Sequence, residues 1–261
     1  MAKFKHNFKR IEQKYLLNER QLDMLMSSLA PLTVPDDWGE SRICNIYYDT
    51  PDYRVVRRSL EKPKYKEKLR LRTYGEPTGE SAAFVEIKKK YRGVVFKRRV
   101  DMHYDEAVRY LDGAPPPERC QITNEIDWFV CSNPGLRPSM LISYFRTALY
   151  AADDPELRIT FDRHIMWRAD RLDLREGVEG RELLGEGECL MEIKIPGAMP
   201  LWLAELLDRF GIYPVSFSKY GRAYCTMISE SRRATVAVPG VSKVTEIVRG
   251  ERARRRERAI S

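Results

Sequence analysis

Lys64-Tyr65-Lys66-Glu67-Lys68-Leu69-Arg70-Leu71-Arg72 is the stretch on which the fold turns, because every even position in it is basic. A β-strand sends successive side chains to opposite faces, so these cations share one face while Leu69 and Leu71 occupy the other. Taken alone, the run fits an exposed edge strand with a solvated cationic face equally well. Energy separates the two settings without choosing between them. Unit charges about 6.8 Å apart repel by roughly 0.6 kcal/mol in water and by roughly 2.4 kcal/mol at an effective dielectric near 20. An enclosed ladder therefore needs an anion.

Outward from this run, other segments repeat the pattern. Glu86, Lys88 and Lys90 alternate with Val85 and Ile87; Lys97 and Arg99 share a face; Arg10, Glu12 and Lys14 alternate with Ile11 and Tyr15. Further on, Tyr144 pairs with Arg146, Arg158 with Thr160 and Asp162, and Glu192 with Lys194 at the same spacing. Strands are predicted at 8–15, 43–48, 64–74, 82–90, 93–102, 123–130, 139–150, 157–165 and 188–195. Helices are predicted after Asn18, through Leu22, Leu25, Met26 and Leu29, then at 105–111, through Leu203 to Phe210 with Gly211 as the stop, and at 219–228. Sequential strands with helices inserted between groups of them predict an α+β fold, a closed antiparallel β-barrel with helices packed outside. The barrel interior is then a polar tunnel in which cations outnumber carboxylates, suited to a linear polyphosphate.

The totals agree with a globular body. The chain has 261 residues, 43% of them hydrophobic, and a net charge of +8. Residues 231–261 hold nine Lys/Arg against three Glu, so +6 belongs to this tail and only +2 to residues 1–230. Residues 1–230 are thus expected to form the tunnel domain and 231–261 a basic tail. The tail suits an anionic membrane surface or an integral-membrane partner, or is simply solvated. Cys44, Cys120, Cys131, Cys189 and Cys225 are scattered without a CxxC pair, which predicts a reduced, cytoplasmic protein. No apolar run is long enough for a leader or a membrane span. His6, His103 and His164 make no metal spacing, and no glycine-rich phosphate loop is present.

Glu12, Glu86 and Glu192 each lie two residues from a Lys on the presumed inner face. Their bland role is to neutralise those cations; the alternative is to hold Mg²⁺ or Mn²⁺ bridging phosphate oxygens. In order, Arg10-Ile11-Glu12-Gln13-Lys14-Tyr15, Lys68-Leu69-Arg70-Leu71-Arg72, Val85-Glu86-Ile87-Lys88, Tyr144-Phe145-Arg146-Thr147-Ala148, Met191-Glu192-Ile193-Lys194 and Phe217-Ser218-Lys219-Tyr220 resemble the triphosphate tunnel metalloenzymes, and within them the VTC domain. The resemblance covers roughly 8–229. It implies a polymerase that adds the γ-phosphate of ATP to inorganic polyphosphate. By the same resemblance Lys14, Arg70, Arg72, Lys88, Arg146 and Lys219 are the catalytic phosphate grips, with Lys68, Lys97, Arg99, Tyr144, Lys194 and Ser218 assisting substrate binding. Glu192, Glu12 and Glu86 are then the metal-binding candidates, with Mn²⁺ or Mg²⁺ the cofactor. Arg10 stands where the superfamily has a Glu, which argues against a two-metal hydrolytic site. A tunnel hydrolase and a non-catalytic polyphosphate or RNA-binding module remain the competing readings, although no specific nucleic acid is expected.

Overall fold

The computed structural model describes residues 11–92, 94–195 and 197–237. Arg10 and the part of the basic tail beyond residue 237 lie outside them. The first strand, β1 (Ile11–Leu17), leads to α1 (Glu19–Leu29), then β2 (Thr33–Pro35), β3 (Ser41–Asp49) and α2 (Arg54–Leu60). A meander of β4 (Tyr65–Tyr74), β5 (Ala82–Tyr91) and β6 (Val94–His103) precedes α3 (Tyr104–Leu111) and α4 (Gln121–Ser132). The chain continues through β7 (Arg137–Ala151), β8 (Arg158–Arg168), β9 (Arg181–Glu182) and β10 (Cys189–Ile195) to α5 (Leu201–Arg209) and α6 (Lys219–Ala237). The ten strands make one antiparallel sheet, ordered β1-β10-β8-β7-β3-β4-β5-β6, with β2 added on β7 and β9 on β8. Two compact units result, one ending at Gly221 and the other beginning at Arg222.

The α+β tunnel architecture is as expected, with one refinement. The ladder is an open path among the described residues: β1 and β6 are its ends and are not hydrogen-bonded to each other. Side chains approach across the gap instead, Lys88 Nζ of β5 lying 3.4 Å from Glu12 Oε2 of β1.

Period-two alternation sets what faces each way. On one half of the sheet, Cys44, Ile46, Leu69, Leu71, Val85 and Ile87 point outward and are buried against Tyr104, Ala107 and Leu111 of α3 and Ile126 and Phe129 of α4. On the other half, Tyr15, Leu17, Ile159, Phe161, Met191 and Ile193 meet Leu25 and Leu29 of α1 and Leu203, Leu206 and Leu207 of α5. The apolar core therefore lies outside the sheet, and the intervening side chains must face inward.

Two local readings are corrected. Residues 123–130, expected as a strand, belong to α4. Thr123, Ile126 and Phe129, which the helix buries, follow helical spacing. Helix α2 was not anticipated at all. Its start is made by Asp49, whose carboxylate accepts from Val55 N–H at 2.8 Å and Val56 N–H at 2.9 Å, and by Thr50, whose hydroxyl accepts from Arg54 N–H. The helix expected after Asn18 is present and Asn18 caps it in a capping box, Gln21 N–H donating to Asn18 Oδ1 at 2.8 Å and Asn18 N–H to Gln21 Oε1 at 3.1 Å. No helix among the described residues is long and apolar enough to cross a membrane.

Leu69 is fully buried beneath α3 and α4. Leu69→Ala should lower the unfolding free energy by about 2–5 kcal/mol, read from denaturant unfolding at neutral pH. Loss below 1 kcal/mol would contradict an outward core on this strand.

Candidate functional site

The inner face has two unlike walls. On β1, β10, β8 and β7 carboxylates are interleaved with the cations and pair with most of them. Asp162 of β8 accepts two bonds from Arg146, at 2.6 and 2.7 Å, and is fully buried. Lys219, at the start of α6, donates to Asp162 Oδ2 at 2.5 Å and to Glu192 Oε1 at 3.3 Å. Lys14 lies 3.0 Å from the same Glu192 oxygen and 3.6 Å from Glu12 Oε1. Burial opposes the ionised forms of Lys219, Asp162 and Glu192, but the pairing wins. Lys219 is raised above its ordinary value by Asp162 and Glu192, Asp162 is lowered by Lys219 and Arg146, and Glu192 falls well below the carboxylate range through Lys219, Lys14 and Arg146.

The wall of β4, β5 and β6 is built differently. Its register sets Arg70 beside Glu86 and Arg99, then Lys68 beside Lys88 and Lys97, then Lys66 beside Lys90. Directly opposed like charges destabilise a sheet. Glu86 is the buried carboxylate of this wall, 1% exposed, bonded by Arg70 Nε at 2.7 Å and ion-paired with Lys97 at 2.5 Å and Arg72 at 3.8 Å. Burial would raise its pKa, but Arg70, Arg72 and Lys97 bring it to about 2. Outward-facing charges of the same strands are matched: Lys89 and Arg98 both reach Glu125 of α4, at 3.0 and 3.4 Å.

Lys68 is the conspicuous case. Its ammonium donates to Ser218 Oγ at 2.8 Å, a neutral partner, while burial first, and then Lys66, Lys14, Lys88 and Arg70, push its pKa down to about 7. Ser218 also accepts from Gly221 N–H at 3.2 Å and so caps α6. Lys97 is held near 8 by burial, Arg72 and Arg70 against the pull of Glu86. Lys194 is lowered by burial and Arg146.

The structure brings most of the expected residues together. Lys14, Arg146, Lys219, Glu192, Glu12 and Lys194 line one wall; Lys68, Arg70, Arg72, Lys88 and Lys97 line the other. Tyr144 joins them, its hydroxyl accepting from Arg72 at 3.2 Å while Lys219 lies 4.5 Å from its ring. It sits at the irregularity between Ser143 and Phe145, where β7 and β8 shift register and re-aim the side chain. Arg99 lies 4.7 Å over the Phe84 ring, exposed on β6.

The three metal candidates are not brought together. Glu86 is held by Arg70, Arg72 and Lys97 on its own wall, which gives it the neutralising role. No group of three His, Cys, Asp or Glu among the described residues is placed to hold a metal ion. Glu12 and Glu192 fit better, since both converge on the Lys14 ammonium. Two carboxylates are what a hard divalent ion takes from a protein when phosphates and water supply its remaining oxygens.

Site reasoning from sequence missed Asp162, Asn45, Tyr47, Tyr220 and Asp49. Asp162 was legible as inward by alternation, but nothing local marked it as the partner of Lys219. Asn45 accepts from Arg72 Nε at 2.9 Å and Tyr47 from Arg70 at 3.1 Å. Tyr220 stacks on Tyr47 with centroids 4.7 Å apart and donates to Asp49 Oδ2 at 2.7 Å, which fixes the start of α6 behind Lys219.

A curved antiparallel sheet with its core outside and a cationic interior defines a tunnel-fold protein. The VTC domain family matches residues 9–228, and the chain belongs to that family. Among solved structures, a Bacillus halodurans protein described as a candidate adenylate cyclase is 18% identical with a TM-score of 0.52, over 80% of this chain and 95% of that one. A Vibrio parahaemolyticus protein described in the same way is 13% identical, TM-score 0.47, over 84% and 99%. A Hippeastrum protein described as a candidate adenylyl cyclase with a dominant triphosphatase activity is 15% identical, TM-score 0.49, over 81% and 93%. The first of these likenesses establishes the shared fold. No curated protein matches the sequence.

The Lys68 environment fixes a pH dependence. Its ordinary pKa of 10.5 falls to about 7 on folding. Between these values the unfolded chain binds the extra proton, so this group's destabilisation is complete below pH 7 and fades as pH rises toward 10.5. Lys68→Met should be more stable than the parent at pH 7 by a few kcal/mol, the difference shrinking as pH approaches 10, by denaturant unfolding. A gap independent of pH would remove this account of Lys68.

Proposed function

We propose that the protein is a polyphosphate polymerase, transferring the γ-phosphate of ATP to the end of an inorganic polyphosphate chain inside the tunnel. A terminal phosphate oxygen of the chain bonds to the γ-phosphorus, the bond from that phosphorus to the β–γ bridging oxygen breaks, and ADP leaves. The observation that carries this reading is the row of Lys68, Lys88 and Lys97 across three neighbouring strands, flanked by Lys66 and Lys90. Such a row is stabilised by a continuous polyanion laid along it.

The carboxylates favour transfer over hydrolysis. Glu12, Glu86, Asp162 and Glu192 all have lowered pKa values, each by its basic partners against burial, so none is poised as a base to activate water. A phosphate acceptor is already ionised and needs only alignment and charge neutralisation. Lys14, Arg146 and Lys219, held by Asp162 and Glu192, supply fixed positive charge at one wall; Arg70, Arg72, Lys88 and Lys97 supply it at the other. Tyr144, Ser218, Lys68, Arg99 and Lys194 orient the chain between them. Enzymes of tunnel fold generally use a divalent ion; Glu192 with Glu12 would hold Mn²⁺ or Mg²⁺, which when bound neutralises phosphate oxygens. The basic residues after Ser231 suit an anionic membrane face or a membrane partner for a cytoplasmic enzyme.

Purified protein given γ-labelled ATP and Mn²⁺ should place label in a ladder of long chains on a gel; label recovered only as free phosphate would sink the polymerase reading in favour of a hydrolase. Lys219→Ala should slow chain synthesis by about 10²–10³-fold, as loss of one preorganised donor does.

A further inference from the structure

The cation rows continue past the reaction centre. Beyond Lys66 and Lys90, Arg92 N–H donates to the Lys64 carbonyl at 2.8 Å as the β4–β5 ladder ends. This end of the sheet borders a cavity of about 370 Å³ lined by Lys62, Lys64, Lys66, Lys90, Arg92 and Ser216. Small-molecule sites span roughly 300–1,000 Å³, so the space is of ligand size. Every charged residue in its lining is a cation. Two of them contact neutral groups: Lys66 Nζ lies 3.4 Å from the Ser59 carbonyl, and Arg92 lies 5.4 Å over the Tyr91 ring. The carboxylates that serve these strands elsewhere, Glu86 for Arg70 and Glu125 for Lys89, have no counterpart here among the described residues. Burial and the neighbouring Lys90, Lys62 and Lys88 lower the pKa of Lys66, as expected where cations crowd without an anion.

We infer that this mouth is a second phosphate subsite, holding inner phosphates of a long chain whose reacting end lies deeper, beside Lys219 and Arg146. At roughly 3.4 Å per residue, Tyr65 at the start of β4 lies about 10 Å from the level of Lys68, and Lys64 lies beyond it. A short ligand seated at the reaction centre does not span that distance, whereas a long chain does. The subsite rests on the polyphosphate reading and adds to it a basis for preferring long chains over short ones.

The test compares a long linear polyphosphate with inorganic triphosphate, using the full chain. Lys62 and Arg92 have φ of +53° and +46°, a left-handed conformation that Asn tolerates, so the variant is Lys62→Asn, Lys64→Gln, Arg92→Asn. All three side chains are exposed, which spares the core, and single Lys64→Gln gives a milder change in the same direction. The triple variant should bind the long chain about 10-fold more weakly, with the salt dependence of log K reduced by about one per cation removed. Triphosphate affinity should stay within about 2-fold, because no phosphate reaches the mouth from the centre. Unchanged long-chain affinity overturns the subsite. Equal weakening of both ligands also overturns it, by making the mouth part of one short-ligand site. A parent protein that binds neither ligand overturns the polyphosphate reading itself, a result separable from the other two.

Discussion

Repulsion among Lys68, Lys88 and Lys97 is the constraint around which the site is organised. The three occupy directly opposed positions on β4, β5 and β6, so no rotation of a strand relieves them without exposing Leu69, Val85 and Ile87. At about 5–7 Å and an effective dielectric near 20, each neighbouring pair costs at most roughly 2–3 kcal/mol, offset in part by Glu86 beside Lys97 and Glu12 beside Lys88. The outward core under α3 and α4 holds the row in place, each buried aliphatic side chain contributing about 1.5–3 kcal/mol. Burial energy on one face thus maintains electrostatic strain on the other, and an anion relieves it.

The opposite wall solves the same problem internally. There Asp162, Glu192 and Glu12 pair with Lys219, Arg146 and Lys14 in a network whose members fix one another's positions. Removing one partner of such a network leaves an uncompensated buried charge, which is strongly destabilising. Tyr144 connects the walls, bonded to Arg72 and lying beneath Lys219. Asp49 does a parallel job from behind: it caps α2 and anchors Tyr220, so the start of α6 is tied to the sheet. The result is an interior with its cations mostly paired at one wall and short of negative charge at the other.

Much of this was legible in the chain. Alternation in 64–72, 85–90 and 191–194 identified strands, their outward apolar face and their inward charges, because the side-chain period of a strand is fixed by backbone geometry. The motifs around Lys14, Arg70, Arg146, Glu192 and Lys219 pointed to the family that the match over 9–228 shows. Residues 123–130 form a helix instead of the expected strand, because the Thr123, Ile126 and Phe129 spacing is helical and the Ile126 and Phe129 face acquires meaning only against the sheet it covers.

What the sequence by itself determined is therefore the inside and the outside of each strand, since that follows from local parity. Which inward charges meet is another matter. Asp162 and Lys219 are separated by 57 residues, and Glu12 and Lys88 by 76, so these partnerships exist only once the sheet curls. The same curling decided that Glu86 is taken up by Arg70, Arg72 and Lys97 while Glu12 and Glu192 converge on Lys14. Charge sign is written in the chain; charge balance depends on distances that tertiary structure sets, because Coulomb energy follows separation in space and not along the sequence.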